Sequence, residues 1–477
     1  MKKHNPETQL ALQVVSPPDW RAEIVIIPIL VEDAADILLR ERPDARREMV
    51  IPIESHGKVE LEDLRRAGGK AARWLVKRAI REAGLRMADL ERLGLPEAVG
   101  AFCEGLLLGA CRISHHKSGQ PESAVTLVQL LVEEDHAAIE EAMQRLSILA
   151  EGVNLARAIA NQPPNMLNPQ TLAESALALA EQDGLSCKVL DEKELAAMGA
   201  GAILAVGQGS QTPPHLIALE YPGQEAQASA SPVVVIGKAL TFDSGGYMVK
   251  DRASIVGMKY DKCGAAAVLG LMHTVSRLEI GTRLVGIIPA AENMISAAAF
   301  RPGDVIRSLS GKTIEITSTD AEGRLVLCDA LTYAQERYQP RLIIDLASLT
   351  YGVVAALGRK RAGLMCEDDE LAGALLACGE RTGERLWRLP LDDEYLEYLH
   401  SDIADMKNYS GTKDASPVTG GVFLKQFVSS DTPWAHLDIL GVATTDKELP
   451  YCPKGATGFG VRLLADYLQV IDRVGER

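Results

Sequence analysis

Three short motifs carry side chains able to do chemistry together. Lys238 leads into Thr241-Phe242-Asp243-Ser244-Gly245-Gly246 and then Lys250; Lys259-Tyr260-Asp261-Lys262-Cys263-Gly264 follows; and Thr319-Asp320-Ala321-Glu322-Gly323-Arg324-Leu325 completes the set. Several carboxylates cannot share an apolar pocket unless cations neutralise them. Two divalent ions would do so, and hydrolases hold such a pair about 3.5–4 Å apart. Asp320-Ala321-Glu322 puts two carboxylates on one side of an extended turn, within reach of the same ions, and Gly245-Gly246 lets backbone approach closely. None of the three motifs contains a histidine, so a histidine-rich zinc site has no support. Each motif alone has a plainer reading. Asp-x-Glu before a helix is an N-cap with a favourable charge, Asp261 another cap, Thr-Phe-Asp-Ser-Gly-Gly a turn, and Lys238 and Lys250 solvated charges. Their occurrence together favours a metal centre.

The elements that must position them alternate. SPVVVIG, RLVGIIPAA, KTIEITS and RLIIDLASL read as strands, and CGAAAVLGLMHTVSRL and GRLVLCDALTYAQERY as helices. Such alternation predicts a mixed, largely parallel sheet flanked by helices, with ligands beyond the carboxyl ends of its strands. Ahead of it, AEIVIIPIL and AVTLVQLLVEE read as strands and RAGGKAARWLVKRAIREAGL as a long helix with a solvated basic face near Arg65–Arg81. A further helix over HAAIEEAMQRLSILAEGVNLARAIAN stops at Asn161-Gln162-Pro163-Pro164. The expected fold class is α/β with two domains: a smaller N-terminal α/β domain over 1–150, a linking helix to about 162, and a C-terminal catalytic α/β domain over 163–477.

Composition narrows the setting. The 477 residues are 47% hydrophobic and 24% charged, enough for two full cores. A net charge of −15 argues against nucleic-acid or anionic-membrane binding. No apolar run approaches the roughly 18 residues that span a bilayer, and the first residues lack a signal-peptide pattern. Eight cysteines without a CxxC pair fit a reducing, cytoplasmic compartment. Cys263 and Cys328 read as small buried hydrophobes rather than nucleophiles, and His436 as a satisfied strand residue.

The motifs resemble the leucyl (cytosol) aminopeptidases, a family of bimetallic, hexameric exopeptidases. The family signature Asn-Thr-Asp-Ala-Glu-Gly-Arg-Leu stands here as Ser318 to Leu325, its Gly-Lys companion as Gly237-Lys238 through Lys250, and Met258-Lys259-Tyr260-Asp261 falls at the family's spacing. The resemblance runs from EGVNLARAIANQPPN to KGATGFG and is weak before about residue 145. It implies two divalent ions per subunit, zinc or manganese with magnesium also compatible. Lys238, Asp243, Asp261 and Glu322 would hold one, and Asp243, Asp320 and Glu322 the more exchangeable other. Lysine ligates only when neutral, and a nearby dication lowers its pKa from about 10.4. Lys250 would stay charged and polarise the scissile carbonyl, while Arg324, with Leu349, would hold bicarbonate as general base. Peptides with a free N-terminus are the implied substrates and a homohexamer the implied assembly.

The chain departs from the family at Ser318, at Tyr351 in place of a glycine, at Tyr247-Met248 and at Ile295. None is an implied ligand, and together they point to altered side-chain specificity. Met258 is a candidate lining of the first side-chain pocket. Two rival readings are a non-catalytic scaffold, with DNA as one binding partner, and a two-metal phosphatase.

Overall fold

A computed structural model of the chain describes residues 10–475 apart from 17–19, 21, 23, 32–35, 42–46, 56, 96, 114–115, 117–125, 133–135 and 225–229. The start of the chain and the outer residues of the expected AVTLVQLLVEE strand lie outside the described residues. Contacts divide the chain into two compact units, Met1–Ala158 with Thr445–Thr457, and Ile159–Thr444 with Gly458–Arg477.

The first unit is built on a six-stranded sheet in the order Leu10–Val15, Thr126–Leu131, Glu82–Arg86, Ile24–Val31, Arg47–Glu54, Leu38–Glu41. Every neighbour is parallel except the last pair. The helix expected through RAGGKAARWLVKRAIREAGL is shorter, Leu61–Lys77. Ala79 takes a left-handed φ of 52°, Ile80 N–H bonds back to Leu75 O, and the chain leaves as the strand Glu82–Arg86. That strand buries Ala83, Gly84 and Leu85 in succession, as a strand inside a parallel sheet must. The expected solvated basic face holds at exposed Arg66, Lys77, Arg78 and Arg81 but not at Arg65. Arg65 is only 4% exposed and pairs at 2.6 Å with both Glu104 and Glu62.

Thr445–Thr457, expected in the C-terminal domain, belongs to the first unit, where its backbone carbonyls accept from buried Arg157 and half-buried Arg73. Arg157 donates to Thr457 O at 2.9 Å and Tyr451 O at 3.1 Å, and Arg73 to Cys452 O at 2.6 Å. The helix His136–Asn161 ends where the double proline predicts.

The second unit carries the main sheet, in the order Leu386–Leu389, Ala362–Cys366, Trp434–Asp438, Leu342–Ala347, Val233–Gly237, Leu284–Asn293, His215–Tyr221, Ser186–Leu190, with Ala239–Asp243 added alongside Leu284–Asn293. Its four central strands, Trp434–Asp438 through Leu284–Asn293, are mutually parallel, and antiparallel pairings lie outside them. Central VVVIG is buried at every position, which is why it reads as an unbroken apolar run. The KTIEITS segment departs from expectation. Only Thr313–Glu315 is strand, and it pairs with Val305–Arg307 and Met406–Lys407 in a separate three-stranded sheet. No helix among the described residues is long and apolar enough to cross a membrane.

Candidate metal centre

The carboxyl ends of the central parallel strands form the floor of the site. Lys238 follows Val233–Gly237, Asn293 ends Leu284–Asn293, Ser348 follows Leu342–Ala347, and Asp438 ends Trp434–Asp438. Asp243 ends the short strand beside them, and Asp261 caps a single 3₁₀ turn, Met258–Tyr260. Asp320 and Glu322 come from the loop that opens the helix Gly323–Tyr338, with Glu322 at its N-cap.

These residues meet. Ligand oxygens of Asp243, Asp320 and Glu322 all lie within 4.8 Å of one another. Lys238 Nζ sits 2.7 Å from Asp261 and 3.0 Å from Glu322, and donates to Ser348 O at 2.9 Å. Lys250 Nζ is 2.7 Å from Asp243 and 2.5 Å from Asp320. Asp243, Asp261 and Glu322 are buried, whereas the Asp320 side chain is 38% exposed and marks the open side. Gly245 and Gly246 take φ of 85° and 64°, and a Cβ on Gly245 would stand 2.8 Å from Asp320 Oδ1. Only glycine fits that approach.

The electrostatics report an incomplete balance. Four carboxylates face two ammonium groups. Burial, reinforced by neighbouring acids, pushes Asp261 up to about 7 and Asp320 up to about 6, and raises Asp243 as well. Burial also works against ionised Glu322, yet Lys238 and Lys250 outweigh it and hold that carboxyl below its usual range. Its Oε2 is nevertheless buried with no hydrogen-bond partner, an arrangement that costs roughly 1–3 kcal/mol or more for a charged group. A buried carboxylate oxygen with no partner, on a residue whose ligand oxygen lies within 4.8 Å of those of two further acids, fits a cation. The donor set, all oxygen apart from one amine, suits zinc, manganese or magnesium. Burial alone would lower the Lys238 pKa, but Asp261, Glu322 and Asp243 reverse it and hold the ammonium above its ordinary value. The lowering expected for a lysine ligand therefore requires the metal itself, which must replace the proton.

The supporting contacts come from residues far apart in sequence. Asn293 Nδ2 donates to Asp243 Oδ1 at 2.8 Å and to Thr319 O at 3.0 Å. Ser348 Oγ donates to Asp261 Oδ1 at 2.8 Å. Asp438 accepts from the N–H groups of Leu349 and Thr350, both at 3.1 Å, and from the Thr350 hydroxyl at 2.6 Å, fixing the loop that carries Ser348. Ser318 Oγ accepts from Asp320 N–H at 3.2 Å and closes a local turn. Arg324 is buried. Its Nη1 donates to Asn408 O at 2.9 Å, while Nε has no partner. Leu349 lies in the same neighbourhood, with Arg324 Nη2 and Leu349 Cδ2 both within 4 Å of where a Cβ on Gly420 would stand. Sequence reading gave Asn293, Ser348, Asn408 and Asp438 no role, and none carries a local motif.

Tyr351 is 76% exposed at the start of the helix Tyr351–Leu357. Tyr247 and Met248 are exposed too, and the Tyr247 hydroxyl donates to Ser296 O at 2.9 Å. Met258 is half-buried. Cys263 and Cys328 are buried and burial raises both thiols, Cys263 to about 12, so neither is a nucleophile at neutral pH. His436 Nδ1 lies 2.5 Å from Asp345 inside the sheet, but its Nε2 has no partner, so the expected satisfaction is half met.

A family model described as "Cytosol aminopeptidase family, catalytic domain" matches residues 154–465. A "Probable cytosol aminopeptidase" of Syntrophotalea carbinolica is 44% identical over 431 residues, covering 89% of this chain and 86% of that protein. One from Roseiflexus castenholzii is 41% identical over 461 residues, covering 96% and 92%. Among solved structures, "Bottromycin maturation enzyme BotP in complex with Mn" is similar with a TM-score of 0.86 and 33% identity, covering 95% of this chain and all of that one.

Proposed function

The chain belongs to the cytosol aminopeptidase family, and from that premise we propose that its carboxylate cluster binds two divalent ions to release N-terminal residues from peptides. It is a metal-dependent aminopeptidase, a hydrolase, with an N-terminal α/β domain and a C-terminal catalytic α/β domain. The observation that carries the two-ion reading is Glu322 Oε2, buried and without a donor among three carboxylates within 4.8 Å.

Lys238, Asp243, Asp261 and Glu322 would hold one ion, and Asp243, Asp320 and Glu322 the other, more exchangeable because Asp320 alone is open to solvent. When bound, the pair supplies a water acidic enough to act as nucleophile near neutral pH, together with Lewis-acid polarisation of the scissile carbonyl. Lys250 contributes a preorganised positive charge. Burial opposes its ionisation, but Asp243, Glu322 and Asp320 hold its pKa above the ordinary lysine value, so it presents N–H donors where negative charge develops on the carbonyl oxygen. Arg324, with an uncommitted buried Nε and Leu349 close by, would hold bicarbonate, a base able to take a proton near the cluster.

Zinc or manganese suits the donors, with magnesium compatible, and the manganese named for the solved relative supports the choice. We place the enzyme in the cytoplasm, as the relatives' names suggest, acting as a homohexamer on peptides with a free N-terminus. Exposed Tyr351, Tyr247 and Met248 support a side-chain preference shifted from leucine. A non-catalytic scaffold gains nothing from a ligand set this complete.

The test is metal analysis with an aminopeptidase assay on wild type and Asp320→Ala. One ion per subunit and turnover lowered at least 100-fold are expected for the variant. Two retained ions with full activity would overturn the assignment.

A further inference from the structure

Asn408 lies outside every motif above, yet it is fully buried and all its side-chain polar atoms are engaged on the metal-ligand loop. Its Oδ1 accepts from Thr317 N–H at 2.9 Å and Ser318 N–H at 3.2 Å. Its Nδ2 donates to Ser318 O at 2.6 Å and Ala321 O at 3.3 Å. One amide thus brackets the residues that carry Asp320 and lead into Glu322. Its own carbonyl accepts from Arg324 Nη1 at 2.9 Å, and its N–H donates to Glu315 O at 3.0 Å, anchoring the residue to the small sheet.

Loop 316–322 has no regular backbone ladder apart from the end bonds at Gly303 and Asp304. Something must set the direction of its two carboxylates. Ser318 Oγ closes a turn onto Asp320 N–H, but a turn fixes only local shape. Asn408 ties that turn to a sheet edge, and it touches both the Asp320–Glu322 loop and the arginine. We propose that Asn408 is a positioning residue for the exchangeable ion, holding Asp320 and Glu322 in ligating register and setting the arginine against the same frame. The inference rests on the two-ion reading above.

Residues that orient metal ligands typically change affinity about 10–100-fold when removed. The experiment titrates manganese into metal-stripped wild type, Asn408→Ala, Asn408→Asp and the control Asp329→Asn, following ion binding by calorimetry without substrate. Asp329 holds three backbone N–H groups of Ala202, Ile203 and Leu309 from the middle of the same helix, so its variant loosens packing without touching the loop. Asn408→Asp keeps the accepted hydrogen bonds but sets a buried carboxylate oxygen against the Ser318 and Ala321 carbonyls in place of the donated ones, so Asn408→Ala is the milder of the pair. We expect weaker binding by about 10–100-fold in both Asn408 variants, at the exchangeable ion first and at the other only through the shared Glu322, with the Asp329→Asn affinities unchanged. Unchanged affinity in the Asn408 variants, or an equal loss in Asp329→Asn, would overturn the proposal. A wild type that binds a single ion would instead remove the two-ion reading beneath it.

Discussion

Replacing Gly323 by alanine tests the geometry of the cluster at its tightest point. The added methyl carbon would stand 2.5 Å from Lys238 Nζ and 2.9 Å from its Cδ. Relief to an ordinary 3.4 Å contact moves the ammonium by about 0.9 Å. Nζ is held at 2.7 Å by Asp261, 3.0 Å by Glu322 and 2.9 Å by Ser348 O. A displacement of that size carries at least one of these past the roughly 3.2 Å limit of a good hydrogen bond. Hydrogen bonds to charged groups contribute about 1.5–3 kcal/mol each, and the abandoned carboxylate stays buried. Against this, alanine is favoured over glycine in a helix by roughly 0.5–1 kcal/mol. The net expectation is a loss of about 1–2 kcal/mol, from the lost bond less the gain in helix propensity. Urea unfolding of the metal-free protein measures it, and zinc or manganese titration reports the ion on the Lys238 side, which should weaken. An alanine variant equal to or more stable than wild type, with both ions bound as tightly, would refute the reasoning.

Asp183 gives a pH signature away from the site. Burial alone would raise its pKa, but the hydrogen bond and charge of His273, and then Arg277, hold it below the usual carboxylate range. A lowered carboxyl pKa contributes stability that is present above the unfolded value and lost as pH falls through the folded one. Asp183→Asn should therefore lower stability near pH 7 by about 1 kcal/mol, discounted for the exposure of Arg277, and the gap from wild type should close below about pH 4. Urea curves across pH measure it, and a gap that widens in acid would contradict the sign. In the first unit, Arg65→Met should cost about 3–5 kcal/mol by taking the guanidinium away from buried Glu104, whereas Arg65→Met with Glu104→Leu should recover most of the loss. Thermal unfolding of the single and double variants checks this, and no recovery in the double variant would count against it.

The carboxylate cluster was legible because its chemistry is local. Asp243, Asp261, Asp320 and Glu322 sit in short motifs at element ends, and the crowding of acids in an apolar context is visible without a fold. The central VVVIG strand was legible for a related reason: burial on both faces leaves an unbroken apolar run. What stayed hidden is long-range. Asn408 acts 90 residues from Ser318, and Asp438 holds Thr350 from 88 residues away, with no spacing that reveals either. KTIEITS has strand composition whether it joins the main sheet or a small satellite, so partner choice could not be read from it. The end of the Leu61–Lys77 helix was missed because a basic amphipathic pattern continues past Lys77, while left-handed Ala79 has no glycine to announce the turn.

The return of Thr445–Thr457 to the first unit has a consequence for synthesis. Arg157 finds its Thr457 carbonyl 300 residues later, so the early portion, which already offers Leu108 O and Asn154 Oδ1 to the same guanidinium, cannot complete that set of bonds until nearly everything downstream has left the ribosome. Domains emerging from synthesis usually fold as units in the order they appear. Here that order is interrupted at one point: the first unit waits for a segment made only shortly before the second unit's own last helix, Val461–Gly475.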